Sequence, residues 1–122
     1  MAYKLIDCDS YISIEFKGKT SLAENDTARD ELILTLRLKG KNSVLVDMSK
    51  ADLSEITLEE LVEFGKGWEV DPTIGMTKFA TLIPENNPFR DKIDLSLTVG
   101  LYEGVQLKVF QVKELALAWL KT

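Results

Sequence analysis

The residues Ser43-Val44-Leu45-Val46-Asp47-Met48 form a short, nearly continuous apolar run. A half-exposed strand alternates apolar with polar residues, whereas a strand covered on both faces does not, so this run predicts an interior strand with helices packed on its sheet. Its surroundings agree. Upstream, 3–8 and 11–16 are two short apolar segments separated by Asp9-Ser10, and the second alternates Ile12, Ile14 and Phe16 with Ser13, Glu15 and Lys17. That period of two predicts a β-hairpin with one buried face. After Gly18, Ser21 and Glu24 stand three apart, the spacing at which a side-chain oxygen and a carboxylate reciprocally satisfy the free backbone donors of a helix start. A helix of about 17 residues is predicted there. It places Leu22, Ala28, Leu32, Ile33 and Leu36 on one side, leaves Leu34 and Leu38 outside that stripe, and stops at Gly40.

Downstream, Thr57 and Glu60 repeat the capping pattern and open a second helix to about residue 68. Leu58, Leu61, Val62, Phe64, Gly65 and Trp68 cluster on its wheel, with Glu59, Glu60, Glu63 and Lys66 pointing away. Asp71-Pro72-Thr73 breaks the chain, and residues 77–83 return to a strand. Asn87-Pro88 predicts the start of a third helix over 88–103, because Pro suits the first helical position. Residues 105–110 form the last strand, and 112–121 a final helix with Val112, Leu115, Ala116, Trp119 and Leu120 on one broad side. The predicted order is β-β-α-β-α-β-α-β-α. Strand–helix alternation implies parallel pairing, and the short first connection makes the first strand an antiparallel edge. The expectation is an α/β fold: a mostly parallel five-stranded sheet with an antiparallel edge strand and four helices, in a single domain over residues 1–122.

With 122 residues, such a chain buries about two thirds of the surface it exposes when unfolded, enough for one core. The chain holds no His and one Cys. That removes imidazole bases, Ser-His-Asp and Cys-His catalysis, His-containing zinc sites and an intramolecular disulfide. Against 20 Asp and Glu there are 15 Lys and Arg, a net charge of -5 that opposes binding to a phosphate backbone, so no nucleic acid partner is expected. The N-terminal residues lack the charge and apolar pattern of a secretory signal, and no apolar run approaches the ~20 residues of a membrane span. The expectation is a cytoplasmic protein without stable membrane insertion. Gly65-Lys66-Gly67 lies late in a helix, the wrong end for holding phosphate, and no cofactor loop is read.

The order of elements, the run Val44-Leu45-Val46-Asp47-Met48-Ser49, and the ending Val105-Gln106-Leu107-Lys108-Val109-Phe110 followed by Glu114-Leu115-Ala116-Leu117-Ala118-Trp119-Leu120 resemble the STAS superfamily. More closely, the chain resembles its SpoIIAA-like (STAS/SEC14-type) branch, over essentially its whole length. The resemblance implies a binding or regulatory module that works through protein–protein contacts, not an enzyme. In the anti-sigma-factor antagonists of that family, Asp-apolar-Ser is followed after five residues by Asp-Ser-Ser-Gly, with a phosphorylated Ser. At the same spacing this chain has Asp47-Met48-Ser49 and Glu55-Ile56-Thr57-Leu58, so the resemblance places Thr57 at the phosphoacceptor position. Glu, Ile, Thr and Leu replace the family's Asp, Ser, Ser and Gly.

Three further sets of residues are candidates. Thr57 is also explained as a helix cap with Glu60 reciprocating. Asp47, at the expected carboxyl end of a central strand, and Glu55 lie where open α/β sheets place ligands, although Asp47-Met48-Ser49 also reads as turn chemistry and matches no metal loop. The third helix has two apolar sides. Phe89, Ile93, Leu97, Gly100 and Leu101 form one; Leu95, Val99 and Tyr102 fall opposite, where they are covered by neighbouring elements, form a homodimer surface, or line an apolar cleft. Cys8, between Asp7 and Asp9, reads as an unreactive packing residue. The leading expectation is thus a non-catalytic module that binds a protein partner, itself included. The alternative is a carrier or sensor of a small apolar or lipid-like ligand, in line with the SEC14-type kinship.

Overall fold

The structure, a computed structural model, describes residues 3–66, 72–102 and 105–122. Five strands form one sheet in the order β1 (Tyr3–Asp7), β2 (Ile12–Lys19), β3 (Ser43–Asp52), β4 (Lys78–Leu82) and β5 (Gln106–Phe110). The β1 edge pairs antiparallel with β2, and every later pair is parallel. The expected mixed sheet with an antiparallel edge is therefore the observed one. Helices α1 (Leu22–Lys39), α2 (Leu58–Lys66), α4 (Arg90–Tyr102) and α5 (Lys113–Leu120) occupy the four expected places. A fifth, α3 (Pro72–Gly75), is a single turn where the sequence reading has only a chain break. Its Ile74 is buried, so one apolar side chain anchors a turn too short for periodicity to reveal.

Alternation along the strands builds two layers. Ile12, Ile14, Phe16, Val44 and Phe79 turn to one face and meet Ala28, Leu32 and Leu36 of α1, Leu61 of α2 and Ile93 of α4. Leu45, Ala80 and Leu82 turn to the other and meet Ala116 and Leu120 of α5. The nearly continuous apolar character of β3 follows from this two-sided cover. At the β1–β2 turn the Cys8 N–H donates to the Tyr11 carbonyl, and the Cys8 thiol lies 3.8 Å from the Ile6 carbonyl.

The caps form as chemistry demands. The Ser21 hydroxyl accepts the Glu24 N–H at 3.2 Å. At the other end of α1, Gly40 has φ +63°, and the N–H groups of Gly40 and Lys41 donate to the Arg37 and Leu36 carbonyls. This left-handed closure satisfies orphan carbonyls at a conformation that side chains disfavour. Leu34 and Leu38 point to solvent, as their places on the wheel require.

Several expectations need correction. Leu58, assigned by its wheel position to the buried side of α2, is 55% exposed, whereas Leu61 one turn on is buried. In α5, Leu115 is 60% exposed and Val112 is an exposed N-cap without a side-chain bond, while Leu117 joins Trp119 against the core. The third expected helix begins at Arg90, not at residue 88; the Asn87 side-chain oxygen accepts the Phe89 N–H at 2.8 Å and makes a turn before the helix. Residues 67–71, which hold the expected end of α2 and Trp68, lie outside the described residues.

Candidate functional site

The sheet's edge beyond β2 and β3 holds most of the singled-out polar residues. β3 does not end near Asp47. It pairs with β4 only as far as Asp47 opposite Leu82, then continues to Asp52 along β2 alone. Where β4 stops, the Asn87 side-chain amide donates to the Met48 carbonyl at 3.3 Å and takes over a ladder position. Because strands follow one another in sequential order, the sheet has no point at which strand order reverses. The Asp47 carboxylate accepts the Ser49 N–H at 3.0 Å and the Ser49 hydroxyl at 2.5 Å, a local contact within the strand, where the sequence reading had a turn.

After β3 the chain forms a tightly held loop at 52–57. Leu53 and Ile56 are buried and anchor it in the core. The Asp52 carboxylate accepts the Ser54 N–H at 2.9 Å, and the Ser54 hydroxyl and backbone hold its pKa below the ordinary carboxylate value. From α4, the Lys92 ammonium donates to the carbonyls of Leu53 and Ile56, each at 3.1 Å. A single cation thus satisfies two carbonyls of the loop and fastens it to the next helix layer. Lys19 lies 3.6 Å from Glu55 across the outside, a pair too exposed to contribute much stability.

The loop ends in the capping box. The Thr57 hydroxyl accepts the Glu60 N–H at 3.1 Å, and the Glu60 carboxylate accepts the Thr57 N–H at 3.0 Å. Ser54, Glu55, Thr57, Leu58 and Glu59 remain exposed on this framework. The result is an acidic ridge held by these contacts, with one leucine in its middle. Sequence reasoning located Glu55 and Thr57 but missed Leu58, whose wheel position pointed inward, and missed Lys92 and Asn87. A cation in the first turn of α4, where acids are the usual choice, was the available signal for Lys92.

The residues proposed on the third helix separate. Ile93 is in the core, with Phe89 and Leu97 packed against it. Leu95 is half-buried, and the side chains of Val99 and Tyr102 lie outside the described residues. Beneath α1, α2 and α4 an apolar cavity of about 100 Å³ remains, walled by Val46, Met48, Ile93, Leu97 and Leu107 and reached by the polar side chains of Asn25 and Arg29. Among the described residues no three His, Cys, Asp or Glu side chains are grouped to hold a metal ion, and no helix is long and apolar enough to cross a membrane.

No family model and no curated protein matches the sequence. Solved structures do match the fold. An uncharacterized protein of the DUF3478 family from Shewanella loihica PV-4, with a SpoIIAA-like fold, is 18% identical over 98% of this chain and 92% of its own, with a TM-score of 0.56. The anti-sigma factor antagonist SpoIIAA in its unphosphorylated form matches at a TM-score of 0.60 and 11% identity over 98% of each chain. An anti-sigma factor antagonist from Mycobacterium paratuberculosis matches at 0.59 and 15% identity, over 98% of this chain and 93% of that one.

Proposed function

With a SpoIIAA-like fold as the premise, we propose that this chain is a non-catalytic regulatory module that acts by docking to a protein partner through the ridge at 52–59. The observation that supports this reading is the build of the ridge: buried anchors, the Lys92 bridge and the capping box hold it, while Glu55, Thr57, Leu58 and Glu59 face outward. A surface ordered before binding loses little conformational freedom on docking. An exposed leucine ringed by carboxylates favours a partner with an apolar pocket and a basic rim. Asp47, whose carboxylate accepts from Ser49 where β3 passes the end of β4 and continues along β2, is proposed as part of the same surface.

Thr57 is the candidate regulatory position. SpoIIAA has been solved in unphosphorylated and phosphorylated forms. A phosphate on Thr57 here would break the cap bond to Glu60, gain the donors of the α2 N-terminus and face Glu55, Glu59 and Glu60. Such a change would alter the ridge directly. The partner set includes a second copy of the chain, for which the stripe containing Leu95, Val99 and Tyr102 is the proposed surface, and the proposed location is the cytoplasm.

Affinity capture from the protein's own host, followed by reconstitution of the purified pair, tests the reading. The wild-type chain should bind a defined protein, the double variant Glu55→Lys/Leu58→Asp should not, and a partner retained by the double variant would move docking off the ridge. Intact mass after incubation with a host kinase fraction tests Thr57: a single phosphate absent from Thr57→Val supports the switch, and an unmodified chain removes it.

A further inference from the structure

Two like-charge doublets flank the ridge. Where β2 and β3 run on past the end of β4, Lys17 and Lys50 are register partners, and both are exposed. On α2, Glu59 and Glu63 stand four apart, and both are exposed. Like charges directly opposed on neighbouring strands, or four apart on a helix, repel. Among the described residues no opposite charge pairs with any of these four side chains to offset that repulsion. The Lys19–Glu55 pair, 3.6 Å apart, joins the two doublets. Lys19 stands two residues after Lys17, on the same side of β2, and Glu55 and Leu58 lead into Glu59.

This rim is therefore basic at one end and acidic at the other, with the exposed Leu58 beside the acids. Such a patch is complementary to itself. When a two-fold axis crosses the line from base to acid, each basic end meets the acidic end of the other copy, and every contact is made twice. We infer that the rim pairs with the same rim of a second copy of this chain in an isologous dimer. Lys17 and Lys50 of one copy face Glu59 and Glu63 of the other, and Leu58 is covered. The net charge of -5 on each chain opposes this at long range. At about 0.1 M salt that repulsion is screened beyond about 10 Å, while contacts of ion-pair length persist. The inference rests on the docking reading in using the same ridge, and it names the rim, not the α4 stripe, as the face that a second copy covers until another protein displaces it.

Sedimentation equilibrium of the full chain tests it. At about 0.1 M salt the wild type should dimerise, and about 1 M salt, where the screening length falls to about 3 Å, should weaken the dimer at least about tenfold. Lys17→Glu/Lys50→Glu and Glu59→Lys/Glu63→Lys should each be monomeric with a wild-type circular dichroism spectrum. An equimolar mixture of the two should dimerise, because the facing charges then match again. Lys108→Glu/Lys113→Glu, at exposed lysines of β5 and α5 and with the same net charge as the first variant, should dimerise as the wild type does. The inference is overturned by a wild type that stays monomeric at about 1 mM chain, by a dimer indifferent to salt or to either exchange, by a mixture that stays monomeric, or by dissociation of the β5 and α5 variant. Lys17 and Lys50 lie outside the ridge at 52–59, so the two readings fail separately. A different protein captured by a chain that stays monomeric would uphold docking and remove the self-pairing; a salt-sensitive dimer that captures no other protein would do the reverse.

Discussion

Thr57 shows how one side chain serves structure while remaining available for regulation. Its hydroxyl completes a reciprocal cap with Glu60, so Thr57→Ala should destabilise the fold by about 1 kcal/mol in urea denaturation, and Thr57→Ser should restore the loss. A neutral result for alanine would remove the capping role. Asp7 carries the clearest pH signature. The Lys41 ammonium donates to its carboxylate and Lys39 stands 3.5 Å away, which together hold the group below its ordinary 3.8. A carboxyl with a depressed folded pKa contributes stability that is fully present above the unfolded value and is lost as pH falls through the folded one. The melting-temperature advantage of the wild type over Asp7→Asn should therefore shrink between about pH 5 and about pH 2. An advantage constant over that range would show that the Lys41 contact does not act through charge.

At the scale of elements, periodicity located the five strands and four of the five helices found among the described residues, but resolved their faces unevenly. For α1, long and laid flat on the sheet, the wheel separated buried Leu32 and Leu36 from exposed Leu34 and Leu38. For α2 and α5 it failed near the start: Leu58 is exposed although it shares the side of buried Leu61, and Leu115 is exposed although Ala116 beside it is fully buried, because α5 is turned to bring Leu117 inward. Periodicity gives spacing around an axis, not which part of a broad apolar side faces the sheet. In α5 this has a measurable consequence. Leu115→Glu should change stability by less than about 0.5 kcal/mol, whereas Leu117→Glu, packed with Trp119 against Leu45 and Leu82, should cost about 2 kcal/mol or more in chemical denaturation. Equal costs would mean that the observed rotation of α5 is wrong.

For the whole molecule, the two-sided cover of β3 was legible because an uninterrupted apolar run has few other uses. The ridge at 52–59 was legible in part. Its cap and its carboxylates carry local signatures, while the Lys92 bridge to Leu53 and Ile56 joins residues far apart in the chain, and the cavity depends on how three helices meet one sheet. Neither leaves a local pattern. The fold places the ridge on the rim of the sheet and α5 on the face opposite α1, α2 and α4, so one molecule supplies both a docking surface and an internal control for it. Isothermal titration of the captured partner into the purified chain uses that arrangement directly. The dissociation constant should rise at least about tenfold with Glu55→Lys/Leu58→Asp, the size expected when a central contact is lost, and stay unchanged with Leu115→Glu on α5. An affinity that survives the ridge variant and falls with Leu115→Glu would contradict docking through the ridge.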